Sequence, residues 1–227
     1  NEVTRLSNDV FTMDKILLGD VFIRGGSSSG THVLEEGRPI GQFYGLVCNG
    51  IDENGRYILV DKDGDGEISD PADYDYIGSA QPKLTYGITN SFRYKNFDLS
   101  FFLRGTIGND ILNATRMAYA QSGFLPGTNA LDDPLTYTLS ETPRFSNYYL
   151  EKGSFMRLDN LTLGYKIKAL NGIRVYFTAQ NLFVITKYKG LDPEVPMDSG
   201  DGLTPGVEPR EFYPKARTFS VGLNLNF

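Results

Sequence analysis

The residues with the plainest chemical meaning are acidic and close together. Asp61, Asp63 and Asp65 alternate, Gly66 follows, and Ile68 comes two residues later. Alternate carboxylates ahead of a glycine form the front half of a calcium loop. The side chains converge on one hard cation, the glycine permits a sharp turn, and the backbone carbonyl of Glu67 adds a ligand. The back half departs from that pattern: position 12 of the loop is Ala72, where a bidentate acid belongs, and Asp73 comes one residue late. The expected set is Asp61, Asp63, Asp65, Glu67 and Asp73 around a structural Ca²⁺ or Mg²⁺ that pins a loop. The alternative is an acidic turn held by its own Asx hydrogen bonds.

No other grouping offers chemistry. His32 is the sole histidine, expected at a surface or strand position, and Cys48, the sole cysteine, reads as a small packing residue. The chain lacks a nucleophile elbow, a P-loop and a zinc motif, and no carboxylate spacing singles out a glycosidase pair. The expectation is a protein that is not an enzyme. A net charge of -6 argues against a nucleic-acid partner, which would favour a basic face.

The elements that must position these residues are strands. The 227 residues include 14 Tyr, 15 Phe and 25 Gly but no Trp, a balance that favours an all-β fold. From Thr85 to Tyr94, Tyr86, Ile88, Phe92 and Tyr94 alternate with polar residues; after Lys95-Asn96, Phe97, Leu99, Phe101 and Leu103 do the same, with Phe102 the exception. Leu161, Leu163, Tyr165 and Ile167 lead to Asn171-Gly172, a strong hairpin turn, and then to Val175, Phe177 and Ala179. The last run is Phe219, Val221, Leu223, Leu225 and Phe227 against Ser220, Gly222, Asn224 and Asn226. Period-2 alternation predicts strands with two different environments.

Turn lengths are unequal. Lys95-Asn96 and Asn171-Gly172 are minimal, whereas the connections from about Thr106 to Ser154 and Thr186 to Arg217 are long and rich in Gly, Pro, Asn, Asp and Ser. Short turns at one end and long loops at the other are the layout of outer-membrane barrels. Tyr137, Tyr148, Tyr149 and Tyr188 in the long loops are expected to be exposed, able to stack on sugar rings or to pack loops together. Residues Gly25 to Gly30 read as a flexible loop, Thr31–Glu35 and Gln42–Val47 as strands, and no domain boundary is apparent. No run reaches the ~20 apolar residues of a membrane-spanning helix, whereas a barrel strand needs only ~10 with alternate residues apolar.

By this alternation Asp98, Arg104, Asn160, Lys166, Arg174, Gln180, Asn224 and Asn226 face a wet lumen, and the apolar positions face lipid. The last eight residues resemble the signal by which the outer-membrane assembly machinery recognises barrels. Ser220 fills its polar position, Gly222 its glycine, Leu225 its hydrophobic and Phe227 its terminal aromatic. Asn1-Glu2-Val3-Thr4-Arg5 has no apolar stretch of the kind an export signal carries, so any such signal is expected upstream and the chain reads as a piece. A soluble or secreted calcium-binding β-sandwich used in adhesion is the rival reading, since alternation fits any half-buried antiparallel sheet.

Several segments together resemble the SusC/RagA-like TonB-dependent transporters. They are Glu36-Gly37-Arg38-Pro39-Ile40-Gly41-Gln42-Phe43-Tyr44-Gly45, Asp61 to Gly66, Ile77 to Pro82, Tyr94 to Ser100, Phe155 to Tyr165, and Ala179 to Leu182 leading to Tyr188–Glu194. The resemblance implies an antiparallel transmembrane barrel of about 22 strands with a plug, residues 1–227 supplying roughly the last eight strands. It also implies TonB-driven import of oligomeric glycans or peptides, a SusD-like surface lipoprotein as partner, TonB acting through a plug absent here, and integral residence in the outer-membrane lipid.

Overall fold

The computed structural model describes residues 2–7, 13–23, 26–168, 173–195, 202–209 and 213–225, with only the backbone of 26–29. The strands begin with β1 (Lys15–Ile23), β2 (Gly26–Glu35), β3 (Gln42–Leu46), β4 (Cys48–Ile51), β5 (Tyr57–Leu59) and β6 (Tyr74–Ser79). Then come β7 (Leu84–Tyr94), β8 (Phe97–Ile107), β9 (Asp110–Leu112), helices α1 (Ala114–Tyr119) and α2 (Pro134–Thr138), and a 3-10 turn at Asn147–Tyr149. β10 (Leu150–Lys152), β11 (Phe155–Ile167), β12 (Ile173–Thr186) and β13 (Thr218–Asn224) complete the chain. The fold is all-β and antiparallel, and among the described residues no helix is long and apolar enough to cross a membrane.

Two compact units interleave along the sequence. One takes Asn1–Gln81, Asn109–Lys152 and Glu194–Phe212; the other takes Pro82–Gly108, Gly153–Pro193 and Tyr213–Phe227. In the first, β1, β2, β3 and β6 form an antiparallel sheet in that order. Val21, Ile23, Phe43, Leu112, Met117 and Phe145 are buried in its core. Residues Gly26–Gly30, read from the sequence as a flexible loop, instead extend β2, with Ser27, Ser28 and Ser29 paired to Phe22, Val21 and Asp20. Small residues can take strand backbone when a neighbouring strand supplies the hydrogen bonds.

The long connection from about Thr106 to Ser154 is likewise no bare loop. It holds β9, both helices and β10, and Ala114, Met117, Leu135 and Tyr149 join the core. Helix starts are set by capping: Asn113 accepts from the Arg116 amide, and Asp133 accepts from the Leu135 amide with Pro134 at the first turn. His32 is fully buried, its Nδ1 2.9 Å from the Thr31 hydroxyl and its Nε2 2.9 Å from the Pro205 carbonyl. Cys48 packs into the same core, as expected of a small apolar side chain.

In the second unit the sheet order is β13-β12-β11-β8-β7, each strand antiparallel to the neighbours that precede and follow it within the unit. Tyr94 pairs with Phe97 across the Lys95-Asn96 turn, where Lys95 takes a left-handed φ of 53°. Ile167 pairs with Ile173. The Asn171-Gly172 turn between them lies outside the described residues.

A bulge interrupts this regularity. Pairing on β11 shifts between Leu158 and Asn160 against both β8 and β12, so Leu158 and Leu161 share a face although their spacing is odd. The residues freed at the bulge are used: Asp159 pairs with Arg104 at 3.1 Å. Asn181, at φ 52°, donates to the carbonyls of Lys215 and Ala216 ahead of β13. Beside it Arg157 is almost fully buried, held by Asn181 and by Asp192 at 2.5 Å.

Replacing Arg157 with Met removes the cation of this buried pair and leaves the Asp192 carboxylate buried without it. Chemical denaturation of the full-length protein should show a loss of about 3–5 kcal/mol. A loss below about 1 kcal/mol would mean the pair behaves as a surface ion pair.

Candidate functional site

The structure offers two features with functional geometry: the two-faced sheet of the second unit and the acidic loop of the first. The sheet is sorted rung by rung. One rung reads Ser91, Ser100, Thr162, Thr178 and Ser220; the next reads Thr89, Phe102, Asn160, Gln180 and Thr218. On the other face the rungs read Phe92, Leu99, Leu163, Phe177, Val221 and then Tyr94, Phe97, Tyr165, Val175, Leu223. Register thus converts five separate alternations into one polar and one apolar surface.

The predicted polar positions share one face. Asp98, Arg104, Asn160, Lys166, Arg174, Gln180 and Asn224 all lie on it, while Asn226 is outside the described residues. Arg174 holds Asp98 through two hydrogen bonds, at 2.9 and 2.5 Å, and the pair spans the strand between them. Gly164 of β11 makes that possible, because a Cβ there would collide with both groups. Phe102, the exception in the alternation, covers Gly87 on the adjacent strand.

The apolar face is open. Phe92 is 52%, Val221 76% and Leu223 62% exposed. Its aromatic side chains pair across strands, with Phe97 on Tyr165 at 4.6 Å and Phe177 stacked on Phe219 at 6.0 Å between ring centres. β7 and β8 each have 11 residues, β11 13 and β12 14, enough to cross a hydrocarbon layer at the usual tilt.

Of the residues expected to form an assembly signal, Ser220 lies on the polar face opposite Thr178, and Leu225 is half exposed. Gly222 is opposite Tyr176, whose ring lies where a Cβ would stand. A packing requirement thus sits at the same glycine. Phe227 is outside the described residues.

In the acidic loop, ligand oxygens of Asp61, Asp63 and Asp65 lie within 4.8 Å of one another. The backbone holds them there: Asp61 accepts from the amides of Gly64 and Gly66, and Asp65 accepts from Glu67. The Glu67 and Asp73 carboxylates are not part of this cluster. Asp73 is buried and turned inward, accepting from the amides of Lys62 at 2.6 Å and Ser69 at 2.8 Å. It ties the two ends of the loop together, a role the sequence spacing did not disclose. Three carboxylates suit a hard cation, without the bidentate acid of a tight site.

Two of the tyrosines expected to be exposed are not. Tyr149 is buried, its hydroxyl 2.5 Å from that of Tyr57, and Tyr188 is buried as well. Burial pushes the Tyr57 hydroxyl up to about 12. Of the four, only Tyr137 stands well out, at 74% exposed.

Comparison with known proteins follows the same lines. No family model matches the chain. It is 35% identical over its whole length to the TonB-dependent receptor SusC of Bacteroides thetaiotaomicron, covering 23% of that protein. It is 34% identical over 87% of its length to the TonB-dependent receptor P3 of Formosa agariphila, again covering 23% of it. Among solved structures, the RagAB peptide transporter superposes over 98% of the chain with a TM-score of 0.72 and 25% identity, the chain covering 25% of that molecule. The chain therefore spans about a quarter of the length of these relatives. They carry the names of receptors and of a transporter, not of enzymes.

Hydrogen bonds from Ser69 and Lys62 hold the Asp73 carboxyl below its usual range. A depressed carboxylate orders its loop above its unfolded titration range, near pH ~4, and that order is lost as pH falls through the lowered value. Amide exchange at Lys62 and Ser69, corrected for intrinsic rate, should stay protected down to about that pH and open below it. Asp73→Asn should weaken protection at neutral pH. Exchange indifferent to both changes would remove Asp73 from this role.

Proposed function

The chain belongs to the SusC-type TonB-dependent receptors, and on that premise we propose that it forms C-terminal barrel wall in an outer-membrane importer of nutrient oligomers. The observation that carries this reading is the sheet of the second unit, sorted into one polar and one open apolar face. Neighbouring strands of that sheet follow the order of an up-and-down barrel. The apolar face meets lipid and the polar face lines the lumen. A soluble sandwich would instead need a second layer over Phe92, Val221 and Leu223, which are more than half exposed.

The chain supplies wall rather than engine. Energy from TonB would enter through a plug elsewhere in the polypeptide, and a SusD-like surface lipoprotein would be the partner that captures substrate. Glycan or peptide oligomers are the substrate class, and the likeness to a peptide transporter supports the peptide side of that pair. The acidic loop would hold a structural Ca²⁺ or Mg²⁺ on Asp61, Asp63 and Asp65, ordering the turn and taking no part in transport chemistry.

Membrane fractionation tests the central reading. The full-length protein should sediment with the outer membrane and require detergent. Leu161→Arg, midway along β11 on the apolar face, should impair assembly, since an arginine at mid-bilayer costs about 2–4 kcal/mol. Detergent-free solubility, or normal assembly of that variant, would overturn the lipid-facing assignment. For the loop, Ca²⁺ titration followed by amide exchange over residues 61–67 should show protection in the parent. Asp63→Asn should weaken it, and equal exchange with and without Ca²⁺ would leave only an acidic turn.

A further inference from the structure

At the short-turn end of the sheet the polar face carries more positive charge than it balances. Arg93 on β7, Lys95 in the turn, Lys166 on β11 and Arg174 on β12 line one cavity of about 480 Å³, closed on one side by Asn224 of β13. Asp98 is the only acid among the described residues that line it, so four cations meet one carboxylate. Asp98 accepts from Nε and Nη2 of the Arg174 guanidinium.

The backbone fixes this crowding. Lys166 and Arg174 are direct cross-strand partners, a placement in which like charges oppose each other. The amide of Lys166 donates to the Asn96 carbonyl at 2.8 Å, bringing the Lys95-Asn96 turn against the end of β11. Arg93 is the direct partner of Asp98. Arg93 and Lys166 are exposed on the cavity side, and Lys95 lies over its own neighbour Tyr94. Repulsion of this kind is tolerated in water and salt, but it is relieved far better by a bound anion that several cations share.

We propose that this cavity is an anion-binding site for a carboxylate or phosphate group, with Arg93, Lys95 and Lys166 contacting the ligand and Asp98 positioning Arg174 beside it. Asp98 holds the guanidinium across β11 through its Nε and Nη2, which leaves the donors of Nη1 for a ligand. The source of the anion is either an acidic side chain elsewhere in the same polypeptide or a free solute. The site is built from one sheet and does not depend on the barrel reading; only the side from which the anion arrives does.

The experiment uses the full-length protein in detergent and has two arms. Zero-length carbodiimide coupling, mapped by mass spectrometry, should join Lys95 or Lys166 to a carboxylate outside these residues if the anion is an acidic side chain. Acetylation of both lysines, measured against Lys187 at constant ionic strength, should slow about tenfold when inorganic phosphate reaches about ten times its dissociation constant if the anion is free. Arg93→Gln should reduce whichever signal is found. Coupling to Asp98 alone, together with acetylation indifferent to phosphate, overturns the proposal. Failure of the barrel reading would appear separately, as solubility without detergent.

Discussion

A sheet with hydrocarbon on one face cannot use water to satisfy its backbone, so every amide and carbonyl along its strands must find a partner in the next strand. With the apolar face set against lipid, as proposed, that constraint organises the second unit. β8, β11 and β12 are paired on both sides over long ladders, and the residues at the ladder rungs are sorted by face. Among the described residues, β7 and β13 each carry one edge with no strand beside it in this sheet. Such edges are templates for further pairing. The chain spans about a quarter of the length of its relatives.

The same constraint explains where charge is allowed. Arg174 and Asp98 lie on the polar face and cross β11 over a glycine, and Arg157 is buried only where the bulge frees Asn181 and the following segment brings Asp192 to it. Aromatic rings do the complementary work. Tyr176 and Phe102 cover glycines on neighbouring strands, so the polar face loses little packing where it lacks side chains.

How much of this could be read in the sequence depended on the range of the interaction. Alternation is local, and it placed the strands, the Lys95-Asn96 hairpin and Asp98, Arg104, Asn160, Lys166, Arg174, Gln180 and Asn224 on one face. The acidic triad was also legible, because its spacing alone brings the carboxylates together. Asp73 was not, since its partners are backbone amides whose positions depend on the loop path. Tyr149 and Tyr188 looked like exposed loop residues because their segments are rich in turn formers, yet both side chains are buried. The pairing of Gly26–Gly30 depended on β1, which no local pattern announced.

The bulge at Asp159 carries a consequence for exchange of parts among relatives. It acts as a phase shift along β11: residues on one side keep odd numbers on the polar face, and those on the other keep even numbers. A graft that joins the Phe155–Leu158 end from one relative to the Asn160–Ile167 end of another preserves both surfaces only if the donor also has an extra residue at the junction. Chimeras cut elsewhere along the strand inherit the shift intact, whereas a chimera that loses it turns half of the strand inside out.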